Sequence, residues 1–434
     1  MLYTVIIIAF LIGYLFIALE HTVKIDKAAT ALLTGTVCWV LLVFALENGT
    51  ISYSGDSIAH FIPESIRHHI GDISEILFFL MGAMTIVEII DAHEGFSIIT
   101  DRISTTNKVK LIWILSVVTF FLSAVLDNLT TAIVMAALLK KMIADKEDLW
   151  LFAGMLIIAA NAGGAWSPIG DVTTIMLWIG GQVTTLNIVT KVILPSLICL
   201  LVPLGILSIK IKGNIRKPTM HQEKSEKLNV NHFEKNIVFF LGIGALLFVP
   251  IFKTLTHLPP FMGILFGLGT IWVTTEIIHR EKETLHKNSL SIVGVLQRID
   301  TPSILFFLGI LIAVASLQTG GHLAEMALFL DNKLHNIYAI NTIIGILSAI
   351  VDNVPLVAGA MGMYSIETYP VDHTFWELLA YCAGTGGSIL IIGSAAGVAI
   401  MGILKIDFIW YLKKISLLAL AGYLAGIITY MLLN

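Results

Sequence analysis

Apolar residues run in blocks of about span length along almost the whole chain, and the polar positions that interrupt them divide it into segments. A membrane span needs about 20 apolar residues. On that rule residues 2–19 and 28–46 form the first two spans, with Lys24 and Lys27 in the turn between them. Residues 72–91 form the third, which carries Glu88 and ends in Asp91. Residues 47–71 hold Gly, Ser, Pro63 and the pair His68-His69 and read as an interfacial connection, the pair being a solvated loop feature. Residues 92–107 read as an amphipathic segment and 321–338 as an interfacial one, and the blocks 187–209, 236–252, 261–278, 302–319 and 415–433 complete the simple spans.

Two blocks are interrupted at a single polar tip. Residues 110–126 lead from a basic edge at Lys108 and Lys110 to Asp127-Asn128, and 128–139 lead away to Lys140-Lys141. Twelve helical residues rise only about 18 Å, too little for a hydrocarbon core of about 30 Å. The spacing therefore predicts a re-entrant hairpin over 110–141. A second is predicted over 339–368, around Asp352-Asn353. Two further blocks, 149–181 and 376–404, are too long for straight spans and are broken at Asn161–Thr174 and at Gly384–Ser388 with Gly393-Ser394. Gly and Pro168 free backbone carbonyls there, which is tolerated at membrane depth only where the backbone is buried in protein or lines a cavity.

Composition agrees with this reading. The chain has 434 residues, 57% hydrophobic and 13% charged, with a mean hydropathy of +0.90, which excludes an ordinary soluble domain. The net charge of −4 carries little information, and no polybasic or acidic tail points to nucleic acid. Cys38, Cys199 and Cys382 are too scattered for a disulfide framework or a metal site and read as packing residues. The first span lacks a positive leader and a small-residue cleavage site, so it reads as a retained helix. Basic residues mark the cytoplasmic ends, above all the linker 210–235 with Lys210, Lys212, Arg216, Lys217, Lys224, Lys227 and Lys235, then Arg280, Lys282, Lys287 and Arg298. Both termini then face outward. A basic surface helix for a regulatory partner is the other reading of that linker.

Three blocks recur in order. Ile76–Leu80 matches Ile304–Leu308, Leu122–Asn128 matches Leu347–Asn353 at five of seven positions, and Gly163-Gly164 with Gly170 matches Gly386-Gly387 with Gly393. The offsets, 228, 225 and 223, are nearly constant. The expected fold is an all-α polytopic membrane protein of two repeats, 1–209 and 236–434, joined by the linker 210–235. Each repeat has about five transmembrane helices, one re-entrant hairpin and one discontinuous helix, and the odd number of crossings makes the second repeat inverted. Inverted repeats with broken helices meeting near the midplane are the architecture of secondary transporters.

The candidate site draws on Ser123, Asp127, Asn128 and Thr130 from the first hairpin and on Asn161, Ser167, Asp171, Thr173 and Thr174 from the first broken helix. The second repeat contributes Ser348, Asp352, Asn353, Ser388 and Ser394. An ionisable group in such a setting costs about 2.5–3.5 kcal/mol on insertion scales and marks function by default. The inventory is hard oxygen donors with carboxylates as the only charges, which suits an alkali cation such as Na+ rather than an anion or a soft metal. A cation and a proton competing for one carboxylate would give antiport. Asp171 aligns with Ser394 and Thr130 with Pro355, so the first half keeps more charge. The principal Na+ site is expected at Asp127, Asn128, Asp171 and Thr173, with Asp352 a coupled carboxylate and Glu88 a proton relay. The bland readings are helix-capping Asp side chains, close-packing Gly pairs and a Glu88 that merely faces a vestibule.

At Ser123–Thr131, Asn161–Thr174, Ser348–Asn353 and Gly384–Ser394 the sequence resembles the NhaD-type sodium/proton antiporters of the bacterial inner membrane, within the superfamily of arsenite, citrate and dicarboxylate carriers. The resemblance implies opposed hairpins, a scaffold part and a moving transport part, homodimers, no cofactor, and export of Na+ or Li+ against H+. Dicarboxylate carriers of that superfamily have Ser-Asn-Thr tips. Asp127 and Asp352 stand where such tips have a neutral Ser, which counts against an anionic substrate, as does the expected absence of Lys or Arg near either tip. A Na+-coupled anion carrier is the alternative within the same fold. An intramembrane aspartyl protease with an Asp127–Asp171 dyad is the alternative from another class, but Pro168-Ile169-Gly170-Asp171 lacks the Gly-x-Gly-Asp pattern. A channel is weighed too, and coupled carboxylates with two broken helices favour a carrier.

Overall fold

In lipid every backbone N–H and C=O has to be paired within its own segment, so the apolar blocks fold as helices. A computed structural model describes residues 2–18, 20–49, 51, 58–100, 102–216, 231–280, 290, 292–334, 336–350 and 352–434. The first half contains α1 (Leu2–Ala18), α2 (Lys27–Glu47), α3 (Ile58–Ala92), α4 (Lys108–Leu126), α5 (Asn128–Met142), α6 (Lys146–Ala165), α7 (Val172–Ile179) and α8 (Thr185–Lys210). The second half contains α9 (His232–Thr256), α10 (Pro260–Ile278), α11 (Thr301–Thr319), α12 (His322–Leu334), α13 (Ile337–Leu347), α14 (Asn353–Met363), α15 (Thr374–Gly386), α16 (Ala395–Leu404), α17 (Phe408–Lys414) and α18 (Ser416–Leu433). Among the described residues no strand forms, and nine helices are long and apolar enough to cross a membrane, ten if the bent pair α16–α17 is one span. The chain is thus a multi-pass, all-helical membrane protein. Residues 217–230 of the basic linker, Lys282, Lys287 and Val351 of the second tip block lie outside the described residues.

One expectation is corrected. Residues 58–71 are not a connection but the first four turns of α3, which runs unbroken for 35 residues to Ala92. Pro63 is tolerated because the carbonyl it cannot pair with lies at the very start of the helix, at Ala59. At 1.5 Å per residue α3 is about 52 Å long, well beyond a core of about 30 Å.

The helices pack in two sets. α2 lies along α11 with α1 on its other flank, and α3 lies against α10, which pairs with α9. In the second set α4 packs on α6, α13 on α15, α5 on α16 and α8 on α18. The most apolar stretch of α6 is 83% buried, against 28% for α10, so α6 is central and α10 faces outward. Exposed Phe240, Leu255, Phe266, Val273 and Ile277 on α9 and α10 form the lipid-facing surface.

α4 and α5 meet at Asp127, and their far ends meet neighbouring residues of one short segment, 213–216. Lys108 N–H donates to Gly213 O (3.0 Å), Ile215 N–H to Thr106 O (2.8 Å) and Ala144 N–H to Arg216 O (2.9 Å). Equivalent contacts recur in both halves. Ser123 Oγ donates to Ala160 O at 2.6 Å and Ser348 Oγ to Ala383 O at 2.8 Å. Gly163 abuts the Phe120 carbonyl as Gly386 abuts that of Gly345. The Gly-Gly pairs are close-packing positions, as their bland reading had it.

Candidate functional site

Each tip carboxylate caps the helix that follows it. Asp127 caps α5, Asp171 caps α7 and Asp352 caps α14, while Ser394 takes the place of Asp171 at the start of α16. A side-chain oxygen at that position satisfies an orphan N–H and lies at the positive end of the helix dipole. Capping therefore explains the location of these residues. It leaves open why some of them are aspartates, and the other contacts answer that.

Asp171 is 1% exposed and gathers donors from both halves of the chain. Its Oδ1 accepts the Thr173 N–H at 2.9 Å and the Thr173 hydroxyl at 2.6 Å. Asn128 Nδ2, from the first tip, donates to its Oδ2 at 2.5 Å, and Asn353 Nδ2, from the second tip, reaches Oδ1 and Oδ2 at 3.3 and 3.4 Å. Asn161 extends the network: its Oδ1 accepts from Asn128 at 3.1 Å, and its Nδ2 donates to Ser388 Oγ and Ser394 Oγ, both at 2.9 Å. Asn161 does this from within α6, because the helix breaks only after Ala165 and not from Asn161 on. Asp171, Asn128, Asn353, Asn161, Thr173, Ser388 and Ser394 thus form one buried polar centre built by both tips and both broken helices.

Asp127 is the carboxylate next in sequence to Asn128, the residue that donates to Asp171. It sits at φ +82°, a conformation that costs an L residue about 1–3 kcal/mol. Thr130 holds it there, the N–H on Oδ1 at 2.8 Å and the hydroxyl on Oδ2 at 2.9 Å. The remaining candidates stand apart from the centre. The hydroxyls of Ser123, Ser348 and Ser167 are tied to the carbonyls of Ala160, Ala383 and Ala124, and Thr174 Oγ1 points to Ala165 O at 3.4 Å. The three serines hold the hairpins against the broken helices, and Thr174 spans the break between α6 and α7.

The second tip differs, and here the expectation that no cation lies near either tip is overturned. Lys27 Nζ, at the start of α2, lies 3.5 Å from Asp352 Oδ2 and 4.4 Å from the Phe306 ring centroid. Pro355 has neither the N–H nor the hydroxyl that Thr130 gives to Asp127, and among the described residues the backbone donates to Asp352 only through Val354 N–H, at 3.3 Å. The ammonium of Lys27 supplies the missing partner. Sequence reasoning had used Lys27 only as a topology marker, and the two residues are too far apart in the chain for any local pattern to link them. Buried Glu377, whose carboxylate accepts from the Tyr430 hydroxyl, was also passed over.

Two cavities, which share Leu129 and Asp300 in their linings, reach the first tip. One, of about 110 Å³, is lined by Glu88, Asp91, Arg298, Leu129 and Thr130, and Arg298 Nη1 stands 4.0 Å from Glu88 Oε1. Its neighbour, of about 230 Å³, is lined by Glu20, Asp26, Lys27, Leu129 and Asp300. A third, of about 440 Å³, opens at the end of α3 remote from Glu88, between His68, Asp72, Met176 and Met361. The polar centre thus lies between two opposed sets of openings, one near Thr130 and one near α7 and α14.

The family model described as Citrate transporter matches residues 7–379. Two Arabidopsis thaliana proteins, named Sodium/proton antiporter 1 and Sodium/proton antiporter 2, are 47% and 45% identical over 97% of this chain, which covers 70% and 97% of their lengths. A Vibrio cholerae protein named Na(+)/H(+) antiporter NhaD is 30% identical over 99% of this chain and 91% of its own.

Proposed function

The chain belongs to the Citrate transporter family (CitMHS), and from that premise we propose that it is an NhaD-type antiporter that exchanges Na+ or Li+ for H+. As a member of this family it is a transporter and not an enzyme, which removes the aspartyl-protease reading. The observation that carries the proposal is the buried carboxylate of Asp171, ringed by oxygen-bearing side chains from both tips. Such a set suits a hard cation. Lys27, the cation at the second tip, is paired with Asp352 and leaves no net positive charge there to draw an anion. The names of the plant and bacterial relatives support the same choice.

With their amide hydrogens toward Asp171, Asn128 and Asn353 stabilise a charged carboxylate. Turned about the Cβ–Cγ bond, each presents its oxygen instead, so the same side chains can surround a cation. A proton on the carboxylate and a cation beside it are then mutually exclusive, and the exchange follows from that competition. The route we propose for protons runs from Glu88 through the 110 Å³ cavity to Thr130 and Asp127, all of which adjoin it or touch a residue that does. The two repeats are inverted in this reading, with the hairpins α4–α5 and α13–α14 opposed, and the set around α6 and α15 moves against the set around α2 and α11. The Lys27–Asp352 pair joins one set to the other and acts as a latch between them. The proposed setting, which the NhaD-type resemblance implies, is a homodimer in the cytoplasmic membrane of a bacterium.

Reconstituted into vesicles with a preset proton gradient, the protein should dissipate that gradient on addition of Na+ or Li+. Uptake of citrate or another dicarboxylate with Na+, and no Na+-dependent proton movement, would replace this reading with the anion-carrier one. The latch has its own test. The side chains are 21% and 14% exposed, so breaking the pair falls between the cost of a surface pair and that of a buried one. Lys27→Met and Asp352→Asn should each lower the unfolding midpoint, and a double-mutant cycle should return a coupling of about 1 kcal/mol. Strictly additive effects would mean that the two side chains do not act together.

A further inference from the structure

The end of α3 remote from Glu88 carries a cluster that cation exchange does not use. His68, His69 and Asp72 each offer a ligand atom, and these atoms all lie within 4.8 Å of one another. His68 Nδ1 stands 3.3 Å from Asp72 Oδ2, one turn along the same helix face. His69 Nε2 lies 3.1 Å from the Thr319 hydroxyl of α11, a partner of the kind that orients ligating imidazoles. All three line the 440 Å³ cavity, together with Glu75. In a loop the two histidines would have no third ligand. The unbroken helix brings Asp72 beneath His68 and makes the set.

We propose that His68, His69 and Asp72 form a three-ligand site for a divalent transition-metal ion of the Zn2+ class at the mouth of this cavity. Two imidazoles and one carboxylate are the donors Zn2+ takes, whereas Na+, Mg2+ and Ca2+ prefer oxygen alone. Two ligands at about 2.0–2.1 Å from a tetrahedral ion are about 3.3–3.4 Å apart, and the His68–Asp72 separation already has that value. His68 and Asp72 are 76% and 71% exposed, so an ion reaches them without opening the fold, and water fills the fourth position. The ion would add positive charge beside the entrance to the cavity that lies against α7 and α14.

The test is calorimetric titration of Zn2+ into the full chain, purified without a histidine tag and stripped of metal. One saturable ion per chain is expected, with affinity lower by about tenfold or more in His68→Ala, His69→Ala and Asp72→Ala. Equal affinity in a His68→Ala/Asp72→Ala double variant, no saturable binding, or Ca2+ binding as tightly as Zn2+ would overturn the proposal. Na+-driven proton movement by the same preparations is a separate readout.

Discussion

An Asp171→Asn protein is expected to assemble normally and to lose Na+-driven proton release. Asn has nearly the shape of Asp, so the packing around α7 survives. The charge does not, and the amide hydrogens of Asn128 and Asn353 then face a group with one acceptor oxygen where Asp171 had two. A hydrogen bond to a charged group is worth about 1.5–3 kcal/mol. Loss of one interaction of that size between the carboxylate charge and the cation lowers the apparent Na+ affinity by about 10- to 150-fold. The wild type should also bind Na+ more weakly as pH falls, because a proton takes the same carboxylate, and more tightly as pH rises and that competitor leaves. In Asp171→Asn this dependence should vanish along with exchange. The measurement is the half-saturating Na+ concentration for collapse of a proton gradient at several pH values, with an unfolding curve to verify assembly. Wild-type exchange in a well-folded Asp171→Asn protein would remove this residue from the mechanism.

Gly163→Ala and Gly386→Ala should be the most damaging changes outside the polar centre. A Cβ on Gly163 would lie 2.1 Å from the Phe120 carbonyl oxygen, and one on Gly386 would lie 2.0 Å from that of Gly345. Both neighbours are backbone, so no side chain can move aside and the helices themselves must separate. Overpacking of this kind costs about 1–3 kcal/mol, here at the α4–α6 and α13–α15 contacts that seat the two tips. Gly205→Ala and Gly244→Ala are controls, since nothing lies within 4 Å of a Cβ at either position. In a helix interior such a change is neutral or stabilising by about 0.5–1 kcal/mol. Thermal unfolding in detergent checks all four, and a Gly163→Ala protein as stable as the Gly205→Ala control would show that the close approach has no energetic weight.

The parts of the fold readable from the sequence are those governed by short range. α1, α2, α4, α8 and α11 begin and end within about two residues of the predicted blocks, because the length of an apolar run decides whether a helix can span. α3 departed from the pattern because Pro63 and the polar residues around it suggested a loop, whereas a proline near a helix start removes little. Asn161 was placed in a break that begins five residues later, after Ala165. Gly163-Gly164 had suggested disruption, yet these glycines remain helical and serve for close approach to α4 and to the turn at Gly170.

Residue types told what kind of chemistry the centre could hold, namely carboxylates, amides and hydroxyls in lipid-buried segments without a soft ligand among them. They also exposed the recurrence of the Asp-Asn block, since each tip has its own local capping requirement. Which oxygen meets which donor was decided only in three dimensions. Asn128 and Asn353 converge on Asp171, Lys27 reaches Asp352, and Ser123, Ser348 and Ser167 turn away to carbonyls. Helix formation in lipid is enforced residue by residue by the need to pair each backbone group. Contacts between helices depend instead on surface shape and on a few polar side chains, because lipid solvates every apolar face about equally well. The elements and the chemistry of the tips are therefore written in the local pattern, while the pairing at Asp171 and the ion pair at Lys27 exist only once the helices have packed.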